Sequence, residues 1–113
     1  MEVKELNTIA AISTPAGNGG VGIIRISGND SLKIIDRIFR PVKKGEIRPF
    51  SFKLGHIYDE DGKVIDQVLV SYFKAPKSYT GEDVCEINCH GGNVAMKKIL
   101  ETVLKNGAVM AEG

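Results

Sequence analysis

A glycine-rich segment between two short apolar runs restricts how this chain can begin its fold. Residues 14–22 contain one proline and four glycines, so they form a loop rather than continue a strand or a helix. The apolar run at 8–13 and the β-branched run at 21–27 flank this loop, and both are typical of buried strands. The sequence therefore predicts a strand–loop–strand unit at its N-terminal end.

The same glycines allow a second interpretation. Gly17, Gly19 and Gly22 match the G-x-G-x-x-G spacing of dinucleotide-binding turns, in which the glycines open a helix whose amides hold a pyrophosphate. Here residues 23–26 are β-branched around one arginine and favour a strand, and basic residues occupy 40–44, where an acidic residue would be expected. A glycine-rich turn between strands is the favoured interpretation, and a dinucleotide-binding fragment is the lesser alternative.

Turn chemistry and apolar spacing predict the elements that follow. Good N-cap residues precede apolar side chains at three- to four-residue spacing, which predicts a helix over 32–39 that ends near Pro41. The segment 41–49 is basic and rich in turn residues, so we expect a connector. The strands predicted at 50–58 and 64–72 flank an Asp-Gly turn and form a hairpin.

The remaining segments complete the predicted fold. A strand at 84–90 leads into Gly91, near which a second helix opens, and Gly107 follows that helix as a C-terminal cap. Residues 108–111 begin a final strand. The order of the elements predicts an α+β fold in which two or three helices pack on a mixed sheet.

Composition limits the class of protein. A length of 113 residues is typical of a single domain, which we assign to residues 1–113. The 15 basic and 14 acidic side chains nearly balance, which argues against a dedicated nucleic-acid-binding surface. No apolar run approaches the ~18 residues of a membrane span, and the charged N-terminus lacks the apolar core of a signal peptide. We therefore expect a cytoplasmic chain with no membrane partner, in which both cysteines are free thiols.

Arg25 lies in the middle of an apolar strand, and two interpretations stay open for it. The guanidinium either pairs with a carboxylate on the face of the sheet or recognises an anionic or planar polar ligand. Spacing alone favours neither interpretation.

The strand at 84–90 has two different faces. Side chains alternate along a strand, so Cys85, Ile87 and Cys89 share an apolar face, which we expect to lie in the core. Glu86 and its polar neighbours at 88 and 90 share the other face, which is either an ordinary solvent-facing row or a recognition face. On a recognition face, Glu86 would accept two N–H groups from the edge of a heterocycle.

Several catalytic and metal sites are not predicted. A structural zinc site needs two pairs of ligands, and besides Cys85, Cys89 and His90 the chain offers only His56 as a further soft ligand. A disulfide between the two cysteines is not expected either, because their Cα atoms would lie ~13 Å apart along the strand. The chain has no G-x-S-x-G nucleophile elbow and no P-loop. We therefore expect no catalytic residue and no metal ligand, and no enzyme in this chain by itself.

Three longer motifs go beyond these patterns. The chain reads TIAAISTP at 8–15, continues as GNGGVGIIRISG at 17–28, and later contains PKSYTGEDVCEI at 76–87 and CHGG at 89–92. With these motifs the whole chain resembles the N-terminal domain of the MnmE (TrmE) family of tRNA-modification GTPases.

The resemblance implies a fold and a function. The domain would be similar to the folate domain of the glycine-cleavage aminomethyltransferase (T-protein), bind 5-formyl-tetrahydrofolate and form a homodimer. The family works with the FAD-dependent partner MnmG and installs a 5-(carboxymethyl)aminomethyl-type group on wobble uridine of tRNA, with folate as the carbon carrier. GTP, Mg²⁺ and K⁺ would bind a G domain that lies, like the helical domain, outside this chain.

The family's folate contacts fall on two positions of this sequence. Glu86 would pair with the 2-amino and ring N–H donors of the pterin, and Arg25 would contact polar atoms of the folate from the neighbouring strand. The resemblance also implies that residues after Gly113 complete the domain. The alternative is a homodimerisation module that does not bind folate in this shortened form.

Overall fold

The computed structural model describes residues 7–17, 20–77 and 81–111, which form a mixed sheet and two helices. The elements in chain order are β1 (Ile9–Thr14), β2 (Gly22–Ser27), α1 (Ser31–Ile38), β3 (Phe39–Pro41), β4 (Ser51–Tyr58), β5 (Val64–Phe73), β6 (Val84–Cys89), α2 (Gly92–Lys105) and β7 (Val109–Met110). The predicted α+β class, with a mixed sheet and two packed helices, is confirmed.

The strand order places two distant segments at the middle of the sheet. The order is β3-β4-β5-β6-β2-β1-β7, and every neighbouring pair is antiparallel except β1 with β7, which is parallel. β2 and β6 are therefore neighbours although 56 residues separate the end of one from the start of the other. Their pairing brings the two motif-bearing strands together.

Both helices pack on the same face of this sheet. Alternate strand residues such as Ile24, Val70 and Ile87 are completely buried, and they share one core with Ile35 of α1 and Ile99 of α2. Because side chains alternate along each strand, the intervening residues point to the opposite face. No helix among the described residues covers that face, which is called here the helix-free face.

The predicted first helix is confirmed, but it ends one residue earlier than the apolar spacing indicates. α1 stops at Ile38, and Phe39 is extended, with φ −117° and ψ 137°. Pro41 disfavours a helical conformation at Arg40, the residue before it. Phe39–Pro41 therefore leaves the helix and pairs with β4 as an edge strand. Gly55 makes this pairing possible, because an added Cβ would overlap the Phe39 ring and the Arg40 carbonyl oxygen. The predicted connector therefore begins only after Pro41.

The other local predictions hold. β4 and β5 form the predicted antiparallel hairpin, in which the Gly62 amide donates to the Asp59 carbonyl oxygen at 3.0 Å. α2 ends at Lys105, and Gly107 follows with a φ of +121°, the left-handed region expected of a glycine cap.

Candidate functional site on the helix-free face

The register of β2 against β6 places Arg25 directly opposite Glu86. Two nitrogens of the guanidinium, Nε and Nη2, donate to the Glu86 Oε2 oxygen, at 2.9 and 2.8 Å. The Arg25 side chain is 35% exposed and that of Glu86 only 12%, so the pair reaches solvent mainly through the arginine. The two residues singled out in the sequence are thus brought together, and Arg25 pairs with a carboxylate on the face of the sheet.

A row of side chains crosses the sheet through this pair. Each residue of this row is the direct cross-strand partner of the next: Phe52 of β4, Ser71 of β5, Glu86 of β6, Arg25 of β2 and Ala11 of β1. Ser71, Glu86 and Arg25 lie on the helix-free face, because the residues before and after each of them belong to the core. Phe52 and Ala11 lie on the same face as the register partners of Ser71 and Arg25. The row therefore carries an aromatic ring, a hydroxyl, a carboxylate and a guanidinium on adjacent strands.

Ser71 is the member of this row that sequence reasoning missed. The residue is buried, and among the described residues its hydroxyl oxygen has no hydrogen-bond partner. A buried polar atom without a partner is uncommon in native proteins. The available signal in the sequence was a single serine inside the apolar strand at 64–72, and alternation alone does not separate such a serine from a solvent-facing one.

Apolar side chains surround the polar row. Phe73 lies on the same face of β5, and the Phe50 ring packs edge-on against it with a centroid distance of 6.2 Å. Phe50 has a φ of 60°, an unusual value for a residue with a side chain. Large apolar side chains on this face or at its rim are exposed at Ile9, Phe50, Phe52, Leu54 and Val109. The site is thus a small polar row within an exposed apolar surface.

The other polar residues of β6 make structural contacts. The Asn88 side-chain amide donates to the Leu69 carbonyl oxygen at 3.2 Å, and His90 Nδ1 lies 3.1 Å from the Gln67 carbonyl oxygen. Asp66 was not singled out in the sequence, but its Oδ2 accepts the backbone N–H groups of His90 and Gly91, each at 2.8 Å. These contacts fix the turn between β6 and α2.

The cysteines face the core, as expected from the alternation. Cys85 and Cys89 are completely buried free thiols, and burial raises the pKa of each to about 12. His90 lies on the opposite side of the strand. In the described parts of the chain, no group of three or more His, Cys, Asp and Glu side chains could hold a metal ion.

The glycine-rich segment leads into a strand and not a helix. β2 begins at Gly22, which supports the turn between strands over the dinucleotide-binding alternative. Asn18 and Gly19 of this motif, and residues 78–80 of the second long motif, lie outside the described residues.

A separate cleft of about 500 Å³ lies away from this face, between the two helices and the β4–β5 turn. It is lined by side chains of both charges, including Arg37, Lys98 and Glu101. The Lys105 ammonium lies 3.4 Å from the Glu60 carboxylate at its edge. The mixed charges favour no particular class of ligand.

The fold and the site define an α+β domain that carries a polar pair on the open face of its sheet. Residues 8–113 match the family model described as GTP-binding protein TrmE N-terminus, and the chain belongs to this family. The resemblance carried by the sequence motifs is thereby confirmed. In the described residues neither helix is long and apolar enough to cross a membrane.

Curated relatives agree with this assignment. The chain is 52% identical over 110 residues to a tRNA modification GTPase MnmE from Carboxydothermus hydrogenoformans. It is 54% identical over 110 residues to a protein of the same name from Thermoanaerobacter pseudethanolicus. Each match covers 94% of this chain and 24% of the relative. A third, from Lactobacillus acidophilus, is 48% identical over 111 residues, covering 97% of this chain and 24% of the relative. The chain thus spans about a quarter of the length of these relatives.

Proposed function

We propose that this chain is the folate-binding and dimerisation domain of a tRNA-modification GTPase and that it binds 5-formyl-tetrahydrofolate at Glu86 and Arg25. The observation that carries the proposal is the Arg25–Glu86 pair at the centre of the helix-free face. The family assignment supports the same class of protein.

The chemistry of the pair suits a pterin ring. A carboxylate accepts hydrogen bonds through both oxygens, and bonds to an ionised acceptor are stronger than neutral ones. Arg25 bonds to Oε2 through Nε and Nη2, and the two oxygens of Glu86 would accept from the 2-amino and ring N–H donors of the pterin. The guanidinium, which is more exposed, contacts polar atoms of the folate.

In the whole protein this domain would hold and orient the one-carbon carrier while other parts perform the reaction. Folate bound here would supply the carbon for the 5-(carboxymethyl)aminomethyl-type group on wobble uridine, with MnmG as the FAD-dependent partner and tRNA as the substrate, in the cytoplasm. GTP, Mg²⁺ and K⁺ would act in the G domain. Binding and orientation are the usual contribution of a protein to cofactor chemistry.

Replacing Glu86 tests this proposal. Glu86→Gln keeps the size of the side chain but removes its charge and half of its acceptor capacity, so we expect the affinity for 5-formyl-tetrahydrofolate to fall about 10- to 100-fold in a calorimetric titration. Glu101→Gln, at an exposed position of α2, is the matched control and leaves affinity unchanged. Unchanged affinity in Glu86→Gln would contradict the site assignment.

Homodimerisation is supported by a different observation. Large apolar side chains are exposed on or beside the helix-free face, including Ile9, Phe52 and Leu54. Exposed apolar surface of this kind is typical of interfaces between protein chains. We propose that two copies of the chain associate through this face. If Glu86→Gln still forms dimers but no longer binds folate, association and ligand binding are separate roles of this face.

A further inference from the structure

We propose that Ser71 is a further ligand-binding residue of the Glu86 site, with a hydroxyl that donates a hydrogen bond to the carbonyl group of the bound heterocycle. This inference rests on the proposed folate-binding function and names one more contact within the same site. It starts from the unpartnered hydroxyl of Ser71 and from its position in the row across the sheet.

The hydroxyl of Ser71 is unusual in its surroundings. Ser71 is only 2% exposed, and no described residue makes a hydrogen bond to its Oγ atom. The backbone of β5 forms ladders with β4 and β6 on its two sides. Because an unpaired buried hydroxyl costs free energy, a bound ligand that pairs with it gains affinity.

The register brings this hydroxyl beside the proposed ligand-binding carboxylate. Ser71 is the direct cross-strand partner of Glu86, and Cβ atoms of such partners lie about 4.5–5.5 Å apart. Arg25 lies on the other side of Glu86, and its Nε and Nη2 groups bond to Oε2 of the carboxylate. Ser71 is therefore the neighbour of Glu86 on the side of the row away from Arg25.

Together the two groups match an amide edge. The carboxylate can only accept hydrogen bonds, whereas a hydroxyl can also donate one. A 2-amino-4-oxo heterocycle presents N–H donors next to a carbonyl oxygen. Glu86 would accept from the N–H groups while Ser71 donates to the neighbouring carbonyl, so Ser71 adds recognition of an acceptor that a carboxylate cannot bind.

Phe52 is the other neighbour of Ser71 in the row. The Phe52 side chain is 67% exposed, so its ring can turn aside without loss of core packing. A planar ligand that enters beside Glu86 would then lie against this ring. Stacking of a heterocycle on an aromatic side chain is a common means of holding it.

The test compares two buried serines that lie on opposite faces of the sheet. Ser71→Ala removes the hydroxyl beside Glu86, and we expect the affinity for 5-formyl-tetrahydrofolate to fall about 3- to 10-fold in calorimetry. The melting temperature of the ligand-free chain should not fall, because no hydrogen bond is lost. Ser31→Ala removes a buried hydroxyl at the start of α1, on the helix-covered face beside the Cys85 thiol, and leaves affinity unchanged.

The outcomes separate the two proposals. If the unchanged chain binds folate and Glu86→Gln weakens binding but Ser71→Ala does not, the inference about Ser71 is wrong and the proposed function stands. If Ser71→Ala and Ser31→Ala weaken binding equally, the effect is structural and the inference is also wrong. If the unchanged chain does not bind folate at all, both proposals fail.

Discussion

At the scale of single residues, Glu86 is a buried residue whose carboxylate forms an ion pair with Arg25. An ion pair in a partly buried position gains from its hydrogen bonds but loses hydration, so such a pair is weak evidence for a purely stabilising role. The Nε and Nη2 groups of Arg25 bond to one carboxylate oxygen, which holds Glu86 in a fixed orientation. A carboxylate held in this way is suited to bind a ligand without reorganising.

Cys85 and Cys89 give a prediction for the dependence of stability on pH. Burial raises the pKa of both thiols to about 12, whereas in the unfolded chain they lose protons near pH 9. Above pH 9 the native state therefore binds more protons than the unfolded state, and stability falls as the pH rises. By pH 10 the loss should be about 1 to 1.5 kcal/mol per thiol in urea unfolding.

The double variant Cys85→Ala/Cys89→Ala is the control for this prediction. It will be less stable than the unchanged chain at pH 7 because the two thiols fill the core. Its stability should fall less between pH 8 and pH 10. An equal fall in both chains would show that other groups cause the alkaline loss. Native thiols should also react slowly with a labelling reagent, since they are buried and protonated.

At the scale of elements, the junction between β6 and α2 depends on one side chain from a third element. Asp66 of β5 accepts the backbone N–H groups of His90 and Gly91. N–H groups at the start of a helix have no partner within the helix, so a side chain from outside satisfies them. The N-cap residue Gly91 has no side chain that could perform this role. The hairpin strand thereby fixes where α2 begins.

Replacing Asp66 should measure this contribution. Asp66→Ala removes both hydrogen bonds and should lower the free energy of unfolding by about 1–3 kcal/mol, while Asp66→Asn keeps an acceptor oxygen and should cost less. Asp61→Ala, in the exposed β4–β5 turn, is a matched control with an expected effect within about 0.5 kcal/mol. Urea unfolding at pH 7 provides the comparison, and equal losses in Asp66→Ala and Asp61→Ala would contradict the role of Asp66.

Local sequence predicted most elements because their signals are local. The β4–β5 hairpin and the end of α2 were predictable from the Asp-Gly turn and from Gly107, respectively. β3 was not, because Phe39 continues the apolar spacing of α1 and its pairing with β4 depends on Gly55, a distant residue. Edge pairing of this kind has no signature in the segment itself.

The site was predictable only in part, for the same reason. Arg25 and Glu86 could each be identified as unusual on their own strands, but their contact spans 61 positions and depends on the register of β2 against β6. Ser71 could not be identified, because the lack of a partner for its hydroxyl is a property of the assembled sheet. The role of Asp66 likewise appears only when β5 lies beside the end of β6.

At the scale of the whole molecule, the sheet separates two surfaces with different roles. One face is covered by both helices and contains the core, and the other carries the polar row within exposed apolar side chains. Antiparallel sheets commonly leave one face in water, but that face is then mainly polar. The apolar surroundings of the row are therefore the basis for the proposed dimer.

A charge on each side of the molecule tests the dimer. Phe52→Asp places a charge on the helix-free face, where we expect it to weaken association, and sedimentation should then give the mass of one chain. Val94→Asp is the matched control, since Val94 is 70% exposed on α2, away from this face, and its mass should be that of the unchanged chain. Dimers that persist in Phe52→Asp and are lost in Val94→Asp would place the interface on the helices instead.

The central claim is that these residues contain a folate site, and calorimetric titration of this chain with 5-formyl-tetrahydrofolate tests it most directly. NAD in a parallel titration tests the dinucleotide-binding alternative. We expect saturable heat with one folate per chain and no saturable heat with NAD. Saturable binding of NAD without binding of folate, or no binding of either ligand, would contradict the claim.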